Sequence, residues 1–165
     1  MSKLVVEETM NTELIEELAA HHMEASNLPP LASKIFAFLL VNYSKEGHNF
    51  DELVEMFNVS KSSVSNSLNL LLQYEFIIQS NKIGERKRRY KITPQYLSIR
   101  LKKIRKDLIR EKFLSVKLVN FHEKEIPNRD PAESQKAEIY LNHLDTAIHN
   151  LGRTIEKIDK ITDSK

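Results

Sequence analysis

Apolar residues from Thr12 to about Ser26 recur at helical spacing, with Leu14, Ile15 and Leu18 on one side, which predicts an amphipathic helix. Asn27-Leu28-Pro29-Pro30 ends it, because proline disfavours helix at the residue before it and cannot sit in a helix interior. Leu31 to about Tyr43 predicts a second helix. Its run Ile35-Phe36-Ala37-Phe38-Leu39-Leu40-Val41 is apolar on nearly every side, as a buried central helix requires. Ser44 to His48 reads as a turn. Asn49 then starts a short third helix through Phe57, with Glu52 placed for a capping box and Phe50, Leu53, Val54 and Phe57 turned inward. Asn58-Val59 is a tight connection, and Ser60 caps a fourth helix, from Lys61 to about Tyr74. Two helices joined in this way form a helix-turn-helix.

The fourth helix divides into two faces. Val64, Leu68 and Leu71 share one, with Leu72 at its edge; Ser62, Asn66, Asn69 and Gln73 occupy the other, flanked by Ser63 and Ser65. A helix solvated for its own sake more often carries Glu, Lys and Arg. Small uncharged hydrogen-bonding groups suit close approach to base edges and phosphates. Beyond it, Ile77 to Ser80 and Arg88 to Ile92 predict two strands around the loop Asn81 to Lys87, with Gly84 at the tip, free to take positive φ. Five cations, Lys82, Arg86, Lys87, Arg88 and Arg89, crowd this hairpin. A polar-faced second helix followed by a basic hairpin is the winged-helix order.

Thr93-Pro94 predicts another helix start, and the helix runs from about Gln95 to Val119, with Leu97, Leu101, Ile104 and Leu108 at steps of 4, 3 and 4. Phe121 to Arg129 reads as a polar connection. Asp130-Pro131-Ala132-Glu133 combines a cap, a first-position proline and a third-position glutamate. From there Ala137, Leu141, Leu144, Ile148, Leu151, Ile155, Ile158 and Thr162 alternate steps of 4 and 3, a heptad seam. The helix at 95–119 of the same chain could cover this seam. A helical bundle with a second copy is the expectation carried forward, through Leu141, Leu144, Ile148, Leu151, Ile155 and Ile158.

Composition adds exclusions. The 165 residues carry a net charge of +2, no cysteine, three glycines and five prolines. Disulfides and thiolate metal sites are therefore excluded, and helices should dominate. No apolar run approaches the roughly 20 residues that span a bilayer, and the N-terminal apolar stretch is too short for a signal peptide, so a cytoplasmic, nucleoid-associated location is expected. The small net charge conceals a strong asymmetry: −7 over 1–60, +10 over 61–112 and −1 over 113–165. A basic block of that kind marks a surface facing a polyanion. None of the six histidines stands at a zinc-ligand spacing, and there is no glycine-rich phosphate loop or serine elbow. No catalytic residue, metal or cofactor is expected.

The stretches Asp51-Glu52-Leu53-Val54-Glu55, Val59-Ser60-Lys61-Ser62-Ser63-Val64-Ser65, Leu68-Asn-Leu-Leu71 and Gly84-Glu85-Arg86-Lys87-Arg88-Arg89-Tyr90 resemble the MarR superfamily of bacterial regulators. The branch of the glycine-betaine-synthesis repressor is the nearest likeness. The resemblance covers about residues 30–95. It implies an obligate dimer on a pseudo-palindromic site, with Lys61 to Asn66 in the major groove and Arg86 at the minor groove. It also implies flanking helices at the dimer interface, often with a pocket for a small-molecule effector beside them. The expected fold is therefore mainly α with a small β-hairpin wing: an N-terminal dimerisation helix at 1–28, a winged helix-turn-helix at 29–95 and long dimerisation helices at 96–165, coiled-coil-like at 137–162. The expected function is that of a transcriptional regulator, a repressor in sign, binding double-stranded DNA through Ser60, Lys61, Ser62, Ser63, Ser65 and Asn66 and the five hairpin cations. A winged-helix interaction adaptor is the competing reading.

Overall fold

Pro29 and Pro30 separate the first two helices, α1 (Lys3–Ser26) and α2 (Pro30–Val41), and Pro30 opens α2 at a position where a missing amide hydrogen costs nothing. The computed structural model describes residues 3–81, 87–126 and 130–163, with 3–10 as helical backbone alone. Helix α1 begins nine residues before the expected Thr12, and no proline or glycine lies between to stop it. Asn27 takes a left-handed φ of 53° at its end. Helix α2 is buried almost all round, Ala32, Ile35, Phe36, Ala37, Phe38 and Leu39 all lying within the core. Helices α1 and α4 pack against it.

Strand β1 (His48–Asn49) precedes α3 (Phe50–Phe57) and α4 (Lys61–Gln73); β2 (Ile77–Asn81) and β3 (Arg88–Ile92) follow. The sheet is antiparallel in the order β1-β3-β2, with His48 opposite Tyr90 and Ile77 opposite Ile92. The sequence pattern places His48 in a turn; it lies instead in β1. A two-residue strand is too short to show alternation, and it exists only because β3, some forty residues on, supplies its partner. Gly47 makes the approach feasible. Its φ is +82°, and a Cβ there would lie 2.7 Å from the Tyr90 carbonyl oxygen.

The chain divides into two units, Met1–Tyr96 and Leu97–Lys165. The second comprises nearly all of α5 (Tyr96–Glu125) and the whole of α6 (Pro131–Asp163). Helix α5 continues through the segment from Phe121 to Glu125, expected as a polar connection. Those residues include no breaker, and the next proline is Pro127. Asp130 caps α6 as expected, its Oδ1 accepting the Ala132 amide at 2.9 Å. The two helices run antiparallel. The Arg105 Nε donates to the Ile148 carbonyl at 3.2 Å, Lys102 pairs with Asp159 at 3.0 Å, and Lys112 pairs with Asp145. Along the heptad seam Leu144 and Ile155 are buried, while Leu141, Ile148, Leu151 and Ile158 keep part of their surface.

The end of α4 carries local strain. The Phe76 amide reaches back to the Leu71 carbonyl and the Glu75 amide to that of Leu72, both at 3.0 Å, a Schellman closure. Such a closure places Glu75 in the left-handed region, at φ 58°, where an L side chain crowds its own carbonyl. Glu75→Gly is expected to raise the unfolding free energy by up to about 1 kcal/mol, since relief of that crowding exceeds the entropy glycine adds to the unfolded chain. Urea denaturation checks this; a lower midpoint at unchanged slope would refute it.

Candidate nucleic-acid interface

Each of the two short helices is delimited by a side chain of its own sequence. The Asn49 Oδ1 accepts the Glu52 amide at 3.0 Å, and the Glu52 Oε2 accepts the Asn49 amide at 2.9 Å, completing the capping box. Asn58 stops α3 in a left-handed conformation, φ 47°, which its short polar side chain tolerates. Two residues later Ser60 caps α4, its Oγ accepting the Ser63 amide at 3.2 Å.

Helix α4 buries Val64, Ser67, Leu68 and Leu71 and exposes Lys61, Ser62, Asn66, Asn69 and Gln73; Ser63 and Ser65 are half-buried. The Ser60 hydroxyl lies 2.9 Å from that of Ser62 and 2.8 Å from that of Ser63, so three hydroxyls gather at the helix start. With Ser63 capped, the amides of Lys61 and Ser62 have no intrahelical acceptor and are directed outward, where the helix dipole favours an anion.

The hairpin cations have unequal roles. Lys82, Arg86 and the tip glycine Gly84 lie outside the described residues. Lys87 Nζ pairs with Asp51 Oδ2 at 2.8 Å, tying the start of β3 to the first turn of α3. Arg89 is half-buried and its Nη1 donates to the Gly47 carbonyl at 3.0 Å; Lys91 Nζ does the same to Lys45 at 3.0 Å. Arg88 is exposed and makes no ion pair among the described residues. Sequence reasoning assigned Lys87 and Arg89 to the outer partner and overlooked these internal acceptors, one a carboxylate 36 residues away and the other a backbone oxygen. Asp51 is the group it missed.

Asp51 joins the two halves of the surface. The hydrogen bond from Lys87 holds its carboxyl below the usual carboxylate range, aided by the charges of Lys87 and, more weakly, Lys61. A depressed value means the folded state favours the ionised form. The resulting stability is complete above the unfolded-state value and is lost as pH falls through the folded one. Exposure and screening keep the contribution small.

Among the described residues no three metal-ligating side chains cluster, and no helix is long and apolar enough to cross a membrane. A capped helix-turn-helix, a polar outer face and a three-stranded sheet whose last two strands form a hairpin are now all in view. The fold is a winged helix with appended long helices. No family model matches the chain, and no curated protein matches it. Among solved structures, one described as a transcriptional regulator is similar over 91% of this chain and 98% of its own, with a TM-score of 0.59 at 17% identity. Weaker likenesses are a MarR protein from Peptoclostridium difficile (TM-score 0.40, 15% identity, 97% of this chain and 92% of that one) and a MepR variant from S. aureus (0.42, 12%, 90% and 99%). The first likeness extends the shared fold to the long helices as well as the winged helix.

The latch at the base of the wing is open to direct test. In a carboxyl NMR titration, Lys87→Gln is expected to raise the Asp51 midpoint toward the ordinary value. An unmoved midpoint would remove Lys87 as its cause.

Proposed function

We propose that this chain is a sequence-selective transcription regulator of the MarR superfamily, in the branch of the glycine-betaine-synthesis repressor. In this reading it acts as a homodimeric repressor on a pseudo-palindromic operator in double-stranded DNA, under a small-molecule effector and at the cytoplasmic nucleoid. Residues 29–95 form the reading head, and 1–28 with 96–165 serve dimerisation. The observation that carries the reading is the outer face of α4: a serine-capped helix whose exposed side chains are uncharged except for Lys61, adjoining the wing at the shared Asp51. Such a face can enter a major groove without bringing carboxylates toward phosphates.

In this mechanism the free amides of Lys61 and Ser62 and the Lys61 ammonium hold a phosphate and set the register. Ser62, Ser63 and Ser65 add short hydrogen bonds, and Asn66 reads an adenine edge through its amide. Arg88, with Lys82 and Arg86 from the sequence, supplies the wing's phosphate contacts. No arginine stands on the exposed face of α4, so DNA shape carries part of the selectivity. Twofold symmetry places a second head one helical turn away, about 34 Å along the duplex. The half-buried seam residues of α6 and the exposed apolar side chains of α5 supply the dimer contact.

Fluorescence anisotropy on the duplex upstream of its own reading frame, against random duplex over a range of salt, tests the proposal. The protein is expected to prefer its own upstream DNA and to release both as salt rises. Binding that is neither selective nor salt-sensitive would favour the adaptor reading. Asn66→Ala is expected to cost on the order of 1–3 kcal/mol on the preferred site and little on random DNA; equal losses on both would end its base-reading role. Arg88→Ala is expected to weaken both and to reduce the salt slope by about 1, and an unchanged slope would exclude it from the phosphate contacts.

A further inference from the structure

Helices α1 and α5 carry stripes of opposite charge with the same spacing. On α1, Glu13, Glu17 and Glu24 follow one another at steps of four and seven. At 100° per residue these steps keep all three within a narrow strip. All three are exposed, and none makes a hydrogen bond or ion pair among the described residues. Their neighbour Glu16, on another face, is held by Lys34 at 2.7 Å. On α5, Lys106, Arg110 and Lys117 repeat the steps of four and seven and are also exposed. None has a carboxylate partner among the described residues, whereas Lys102 and Lys112, toward α6, each have one. Arg110 and Lys117 instead bracket the Phe113 ring, at 5.4 and 4.5 Å from its centroid.

The match extends to the uncharged position. Seven residues after the first charge, α1 has the exposed Ala20 and α5 has Phe113, a phenylalanine 48% exposed. Laid side by side in parallel, the stripes oppose three unlike charges and set the large ring over the smallest side chain. An antiparallel alignment breaks the 4–7 order. Each stripe runs about 16 Å along its helix.

We infer that α1 of one copy docks in parallel register on α5 of a second copy, pairing Glu13 with Lys106, Glu17 with Arg110 and Glu24 with Lys117, with Phe113 over Ala20. The inference rests on the homodimer reading and deepens it by naming the surfaces and their register. A second copy is the occupant because one sequence supplies both stripes. A twofold axis then satisfies both at once, α1 on the partner's α5 and the reverse. Exposed ion pairs add little strength singly, so the stripes set partner and register. Apolar side chains left exposed beside the stripe on α5, Leu114 and Phe121, supply contact area.

Charge reversal of the full chain, read by analytical ultracentrifugation at low salt, tests the pairing. Glu13→Lys with Glu17→Lys, and separately Lys106→Glu with Arg110→Glu, are each expected to weaken self-association by about tenfold or more, because four like-charge contacts replace four pairs across the twofold. The chain carrying all four reversals regains the dimer. So does a mixture of the two separately reversed chains, one of them tagged, as a heterodimer. Rescue within one chain but not by mixing would put the pairing in cis and overturn the inference, as would two-site variants that associate like the wild type. A Lys106→Glu, Arg110→Glu chain that stays dimeric and loses only DNA binding would assign the α5 stripe to phosphates and overturn it equally. A wild type that is monomeric throughout would instead refute the homodimer reading. Circular dichroism monitors folding; where a reversal unfolds the chain, the Gln substitutions at the same four sites are expected to give smaller shifts in the same direction.

Discussion

The first unit depends on what surrounds one ring. Phe36 sits within the apolar run of α2, with ring centroids 5.1 Å from both Phe76 and Tyr96 and 4.8 Å from His22. Those partners belong to the approach to β2, the start of α5 and α1, so a single side chain from the central helix joins three segments distant in sequence. The rings meet mostly edge to face, the arrangement their quadrupoles favour. Helix α4 rests on α2, and its buried Val64, Leu68 and Leu71 thereby decide which of its residues are left outside. The polar face is available for recognition because the opposite face is committed to this core.

The basic middle segment looks different once its charges are assigned. Part of its excess works inside the protein: Lys87 on a carboxylate, Arg89 and Lys91 on backbone carbonyls, and Lys102, Arg105 and Lys112 across the helical hairpin. The charge left for an outside polyanion is smaller than the count implies, and on the described part of α4 and the wing it rests on Lys61 and Arg88. A solvated cation and an engaged one have the same letter in a sequence. What separates them is an acceptor whose position only the fold provides.

Local chemistry was legible in the sequence, and long-range chemistry was not. Asn49, Ser60 and Asp130 announced their caps because a cap is decided within three residues. The inward face of α4 followed from its period, and β3 appeared with the bounds its alternation suggests. Strand β1 was hidden because its partner is remote, and the Asp51–Lys87 pair for the same reason. The heptad of α6 predicted a seam but not all that meets it: α5 of the same chain lies alongside and Leu144 and Ile155 are buried, while the other positions keep part of their surface, and a periodicity states that a face is apolar without saying against what. Helix α5 outran its expected end because amphipathic regularity fades after Val119 while nothing yet forbids the helix.

The ties at the base of the wing have a further meaning. Strand β3 is fastened on one side to α3 through Lys87 and Asp51 and on the other to the Gly47 turn through Arg89, while α3 is joined to α4 by a link of only three residues. Helix and hairpin are thereby set at a fixed span, like the jaws of a caliper clamped before use. An instrument of this kind measures by refusing to adjust: on the proposed reading, a duplex whose groove width matches would bind as it is, and any other would have to be bent to it. Bending costs least at pliable base steps, so such a head, if it reads DNA as proposed, would distinguish stiffness as well as lettering.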